Sequence, residues 1–443
     1  MFGLSLTKLK MPGVGGLIGG QGRPVSIDFG TSALKVLELS DAEPAEILAA
    51  GVLPTPETLI NDHTKRFAYQ IENLGKLVKA AGIRGKRAVV AIPSWATVSK
   101  HMQVPSAELA GLNAYVASMT AADLACDPST LVCRPLTVAG ANAGGSPGGG
   151  KTEVISVATS RGVVSKIMEA VRGAKLSCVG IVPETVALAR GFDHMTSRES
   201  DAGLISLYLD IGLGSTRLVI AHGREVVFIK NIAVGGRYLD EYLAQVNKIT
   251  MAEASTKRMS EANMPAVKKS EKPAGAPRPM AGAATASASS AAAPTGVGLA
   301  AGMPHLAASM KIAESTGAAV EAAEDRRMNA QPAGTVSVEG AGMDPALAEP
   351  LSVLTDEASL CLRYHEALFP GRKIGRAIFV GGEARHLGIC QSIAKAMRLP
   401  ASVADPLARF SRKSNLSASG VDLSKPQPGF AVCAGLAFSP TDL

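Results

Sequence analysis

Two periods alternate along the chain. Short apolar runs bounded by Gly, Pro or Asp mark strands, and apolar residues spaced three and four apart mark helices. Val25 and Ile27 lead into Asp28, and Val36, Leu37 and Leu39 resume after Gly30 and Lys35, which predicts strand, tight turn, strand. Ile47 to Val52 predicts a third strand closing on these two. From Leu59 to Gly82, Phe67, Ile71, Leu74, Leu77 and Val78 fall at helical spacing. Arg87 to Ile92 is a short apolar strand stopped by Pro93. A stretch of different character covers 94–176. Strands are predicted there at Val98–Val104, Leu131–Val138 and Thr152–Ala158, and helices at Ser106–Ala125 and Arg161–Ala174.

The opening pattern then returns. Leu207 to Ile220 repeats it so that Asp28 aligns with Asp210, Gly30 with Gly212, Ser32 with Gly214 and Lys35 with Arg217. Between the copies, an Ala- and Leu-rich helix is predicted from Glu184 to His194. After the second copy, Gly223 turns a hairpin, and Asn231 to Val234 leads to Gly235-Gly236. Helices follow at 237–248 and 251–260. From Met264 to Gly342, Ala, Ser, Gly and Pro dominate and aromatics are absent, so this stretch cannot bury enough surface to offset its ordering entropy. It is read as a disordered insertion. Helical spacing returns from Pro345 to Phe369. Arg376 to Val380 then delivers Gly381-Gly382 to a helix starting near Leu387, a strand closes at Asp405, and a last helix covers Phe430–Ala437.

Composition narrows the function classes. A chain of 443 residues is too long for one ordinary core. The net charge of +7 is spread along the chain without a clustered basic face, so nothing demands nucleic acid. Cys126, Cys133, Cys178, Cys361, Cys390 and Cys433 form no C-x-x-C pair and read as free thiols in a reducing compartment. The most apolar windows fall short of the roughly 18–20 residues that a membrane span needs. Residues 1–21 lack the continuous apolar run of a signal peptide and are expected to be a flexible cytoplasmic lead.

The chemistry concentrates in the repeated turns. Glycine permits the tight bend, and backbone N–H groups, small hydroxyls and a cation can then converge on a phosphate. The adjacent acid suits Mg²⁺ held through water. Two such turns imply two similar halves facing one nucleotide. Gly381-Gly382, at a strand end, lets a flat group such as adenine or ribose lie against the backbone. Gly145 to Thr152 also fits G-x-x-x-x-G-K-[ST]. A working phosphate loop must open a helix, whereas a strand-like run follows Lys151, so this match is read as an accident of composition.

The order of these features resembles the superfamily of actin, DnaK-type chaperones and sugar kinases. Within it the chain is similar to PilM-like type IV pilus assembly proteins, relatives of the division protein FtsA. The segments SIDFGTSALKVLEL, RAVVAIPSWATVSKHMQVP, VPETVALARGF, LDIGLGSTRLVIAHGREVVFIKNIAVGGRYLDEYL and RAIFVGGEARHLGICQSIAKAMRLPASVADP carry the resemblance. It implies an α/β, actin-like two-lobed ATPase fold built from duplicated ribonuclease-H-like halves. Lobe 1 would span 23–200 with an inserted subdomain at 94–176. Lobe 2 would span 201–262 and 344–443, interrupted by the insertion at 263–343. It assigns Asp28, Gly30, Thr31, Ser32 and Lys35 to the first phosphate turn, and Asp210, Gly212, Gly214, Ser215 and Thr216 to the second. Asp28 and Asp210 would sit near Mg²⁺ through water. Gly235 and Gly236 would lie on the base or ribose side, and Gly381, Gly382 and Glu383 would form the adenosine motif. Lys257 is the candidate for a helical lysine after the second glycine pair, with Arg258 competing. Glu184 is the candidate for any hydrolytic role, although the family tends to carry an acid two residues earlier, where this chain has Val182. The implied cofactors are ATP and Mg²⁺. The implied partner is the N-terminal cytoplasmic peptide of an inner-membrane PilN-like protein, captured near residues 88–105, with pilus motor ATPases and self-association as further partners. The implied protein is a scaffold and at most a slow ATPase. A sugar-type kinase or a filament-forming relative is the alternative.

Overall fold

The computed structural model describes residues 22–141, 150–196, 201, 203–260 and 334–441. Among them, two six-stranded sheets share one plan. The first uses β1 (Val25–Phe29), β2 (Ala33–Leu39), β3 (Glu46–Pro54), β4 (Arg87–Ile92) and β8 (Ser177–Pro183). β3, β2 and β1 run antiparallel in turn, and β1, β4 and β8 run parallel. The second uses β9 (Ile205–Ile211), β10 (Thr216–His222), β11 (Glu225–Ile232), β13 (Arg376–Val380) and β14 (Ala401–Ala404). Here too β11, β10 and β9 are antiparallel, and β9, β13 and β14 parallel. The repeat seen in the turns is therefore a repeat of whole sheets. Register carries it to single residues, since Asp28 lies opposite Lys35 and Asp210 opposite Arg217.

The central strands are solid apolar runs because both of their faces are covered; β9 is buried at all seven positions. α1 (His63–Ala80) covers one face of the first sheet with Phe67, Leu74, Leu77 and Val78, and begins where the Asp62 carboxylate accepts from the Thr64 and Lys65 amides. α3 (Arg161–Gly173), capped by Ser160, packs beside it. α7 (Ala348–Leu368) and α8 (Leu387–Met397) serve the second sheet.

A third, three-stranded sheet sits between them in sequence: β5 (Thr97–Pro105), β6 (Leu131–Thr137) and β7 (Lys151–Ser160), ordered β5-β7-β6. α2 (Leu112–Asp123) closes one face with Val116 against Val104 and Val154. The expected helix at Ser106–Ala125 is shorter, because Ser106–Gly111 forms a 3-10 turn first. On the other face, Ile155 and Val157 join the core of the second sheet with Leu207 and Phe228. The subdomain is inserted in lobe 1 yet shares its core with lobe 2.

Two edges depart from the expected boundaries. β15 (Ser411–Ser419) pairs in parallel with β3, so the C-terminal segment returns to the first sheet instead of completing lobe 2. β12 (Thr335–Ser337) pairs with β14, so structure resumes inside the stretch assigned to the insertion. Residues 261–333, which hold the rest of that stretch, lie outside the described residues, as do 1–21. Two short helices link the lobes: α4 (Glu184–Arg190), shorter than expected, and α9 (Ala431–Leu436). They cross so closely that a Cβ on Gly435 would overlap the Ala187 carbonyl.

Candidate functional site

The two repeated turns meet at the centre of the molecule. In the first, Gln70 Nε2 from α1 donates to the Gly30 carbonyl at 2.8 Å, and the Thr55 amide donates to the Ser32 carbonyl at 2.9 Å. In the second, the Gly212 amide donates to the Ser215 carbonyl at 3.0 Å. The turns touch across the cleft, where a Cβ placed on Gly214 would lie 3.0 Å from Thr31 Oγ1. Between them is a cavity of about 30 Å³, lined by Asp28, Lys35, Asp210, Arg217 and Gly381 among others. That volume admits water but not a triphosphate. A larger cleft of about 700 Å³ adjoins it and shares Ser32, Lys35, Gly382 and Gly429 with it. Arg385 and Lys425 make its wall basic.

Each acid is paired with the cation that strand register sets opposite it. Lys35 Nζ lies 3.0 Å from Asp28 Oδ2. Arg217 Nη2 lies 2.8 Å from Asp210 Oδ2, and its Nε donates to the same oxygen at 3.1 Å. Arg217 also reaches Glu184, the first residue of α4. Burial alone would lower the Lys35 ammonium, but attraction to the Asp28 carboxylate, with Asp210 adding to it, holds it above the usual lysine value. Burial pushes the Glu184 carboxyl up to about 7; Arg217 opposes the shift, and Asp28 and Asp210 add to it.

At the glycine pair expected to face adenosine, Gly381 has φ +96°, and a Cβ there would overlap the Ile211 carbonyl, so only glycine fits. Gly382 has no neighbour where a side chain would go and opens onto the cleft. Gly236 lies against Glu383. Gly235 packs on the second turn, where a Cβ would lie 2.5 Å from the Gly212 carbonyl. Thr216 is fully buried and donates to the Val234 carbonyl at 2.7 Å, so it secures the turn from within.

Lys257 is not brought to the site. It is half-exposed on α6 (Met251–Ser260), with Nζ 3.0 Å from Asp344. Arg258, one position on, points inward. Its Nε and Nη2 donate to the Asp240 carboxylate at 2.7 and 3.0 Å, and Nη1 donates to Glu383. A helix turns 100° per residue, so one place changes the face, and only Arg258 lies on the buried side. Val182, two residues before Glu184, packs with Val89, Ala91 and Ala187 in an apolar cluster. Arg217 was not nominated as a site residue, although its alignment with Lys35 was the signal. Lys151 opens β7, and a strand rather than a helix follows it; Gly145–Gly149 lie outside the described residues.

The glycines, hydroxyls and Lys35 fit nucleotide phosphates once the turns part. Mg²⁺ does not fit in the same way. Both acids expected to hold it are already ion-paired, and the Arg217 guanidinium lies between Asp210 and Glu184. Among the described residues, no group of three or more His, Cys, Asp or Glu is placed to hold a metal ion.

Two duplicated sheets linked by crossing helices, with matched turns facing across the cleft, define an actin-like ATPase fold. More narrowly, the chain belongs to the family of the type IV pilus assembly protein PilM, whose family model matches residues 26–271. The fold is similar over nearly the full length to a solved PilM-PilN type IV pilus biogenesis complex, at 18% identity and TM-score 0.63, covering 95% of this chain and 98% of that one. It also matches the ethanolamine utilization protein EutJ of Carboxydothermus hydrogenoformans at 14% identity and TM-score 0.43, covering 94% and 88% of the two chains. MreB5 of Spiroplasma citri bound to ADP matches at 10% identity and TM-score 0.43, covering 94% of each chain. No curated protein matches by sequence.

Proposed function

We propose that this chain is a cytoplasmic, nucleotide-binding scaffold of a type IV pilus assembly platform that docks the N-terminal cytoplasmic tail of an inner-membrane, PilN-like partner. The observation that carries the reading is membership of the PilM family together with whole-length likeness to the chain of a PilM-PilN complex. The facing turns support the nucleotide part. No described helix is long and apolar enough to cross a membrane.

The docking segment narrows from 88–105 to β5. β4 lies between β1 and β8 and has no free edge, whereas β5 is an outer strand of its sheet. An outer strand can accept an extended peptide through its main chain. Val98, exposed at 41%, marks the free end of β5, because further along His101 accepts from the Ile229 amide of β11. Co-purification of the chain with the partner's tail tests the reading. Loss of binding is expected when the first tail residues are removed, and a drop of about tenfold is expected with Val98→Asp. Unchanged binding in both cases overturns it.

A kinase needs a free base at the γ-phosphate. Asp28, Asp210 and Glu184 are all ion-paired, and no observation favours that alternative. ADP formation from ATP is expected to stay near background with or without added sugars.

A further inference from the structure

Arg217 decides how the cleft meets phosphate. It is the cross-strand partner of Asp210 within the second sheet, as Lys35 is of Asp28 within the first. Each ion pair therefore lies within one sheet. Glu184, on the connector α4, is the further acid held by Arg217. All three carboxylates are buried. Stripping a buried carboxylate of its cation is costly, so these pairs persist. A divalent ion held through water needs a free carboxylate oxygen and room for its hydration shell. Asp210 gives its Oδ2 to two guanidinium nitrogens, at 2.8 and 3.1 Å. A guanidinium also presents a planar fork of donors suited to phosphate oxygens.

We propose that the cleft binds nucleoside di- or triphosphate free of divalent cation, with the Arg217 guanidinium holding the place between Asp210 and Glu184 that a metal would otherwise take. This rests on the nucleotide-binding reading above and goes beyond it by replacing Mg²⁺ with a residue of the chain.

The test is equilibrium binding of a fluorescent ATP analogue, with ATP and ADP as competitors, to the full chain in EDTA and in Mg²⁺. The affinity in EDTA is expected to equal or exceed that in Mg²⁺. Arg217→Lys, which keeps the charge and loses the fork, is expected to weaken binding about tenfold in EDTA while the thermal transition stays close to the parent's. Arg217→Thr is expected to bind only when Mg²⁺ is present. Binding by the parent that falls tenfold or more in EDTA overturns the proposal, and so does Arg217→Lys binding as well as the parent in EDTA. The comparison of the parent in two buffers needs no variant to fold. Absence of binding in both buffers overturns this proposal and the nucleotide part of the proposed function together. The tail-docking assay is independent of that outcome.

Discussion

At the residue scale, the Glu184 carboxyl, ion-paired with Arg217, ties stability to pH. Glu184 is held up to about 7, against an ordinary value of 4.5, chiefly by burial. A carboxyl raised on folding stabilises the fold below its unfolded value, and that contribution is lost as pH rises through the folded value. The window is therefore about pH 4.5 to 7, and the loss across it is roughly 2–3 kcal/mol at 1.36 kcal/mol per unit. Glu184→Gln keeps a hydrogen-bonding partner for Arg217 and does not titrate. Urea unfolding from pH 5 to 8 is expected to show the parent losing about 2–3 kcal/mol relative to this variant; parallel curves would refute the assignment. The neighbouring residues Lys257 and Arg258 offer a second contrast. Arg258→Ala strands the buried Asp240 and Glu383 carboxylates and is expected to cost about 3–5 kcal/mol. Lys257→Ala loses one exposed pair and is expected to cost under about 1 kcal/mol by the same urea midpoints.

At the element scale, the α4–α9 crossing is the tightest backbone approach between the linkers. Gly435→Ala drives a methyl into the Ala187 carbonyl and is expected to destabilise by about 3 kcal/mol. Gly173→Ala, at the last turn of α3 with open space around it, is expected to be neutral or to stabilise by up to about 1 kcal/mol. Thermal melts of the two variants separate a steric cost from a general glycine effect. The same distinction explains what the sequence reveals. β1, β2, β9 and β10 are readable because strands covered on both faces must be apolar throughout, and their turns need glycine. The Asp28–Lys35 spacing returns as Asp210–Arg217 because the cross-strand register repeats. β15 is unreadable because Ser411–Ser419 is polar: as an edge strand it needs main-chain pairing with β3, not an apolar face. β12 has three residues, too few for any period. Lys257 was preferred over Arg258 because the start of α6 sets which face each residue occupies, and a one-residue error moves the side chain from core to solvent.

At the scale of the whole molecule, the lobes are closed upon each other. Thr31 abuts Gly214 at the centre of the cleft. Arg237, at the start of α5 (Gly236–Asn247), pairs with Glu57 of lobe 1 at its rim. The inserted subdomain adds a third contact, through Tyr364 donating to Glu153 at 3.3 Å. A cavity of about 30 Å³ between the turns cannot take a triphosphate, so the proposed binding of phosphates between them would require Thr31 and Gly214 to part. The geometry supplies a lock for testing this. A Cβ on Gly214 would lie 3.5 Å from the Thr31 Cβ, within the range that a disulfide spans. Thr31→Cys with Gly214→Cys, in a Cys126→Ser background that removes the exposed native thiol, is expected to cross-link the turns under mild oxidant. The oxidised protein is expected to lose binding of the ATP analogue by at least about tenfold and to regain it on reduction, because only the span between the turns has changed. The comparison is between the oxidised and reduced forms of the same double variant, so any loss from removing the Thr31 hydroxyl cancels. An oxidised protein that binds as tightly as its reduced form would mean that nucleotide occupies only the adjoining cleft of about 700 Å³ and never separates the turns.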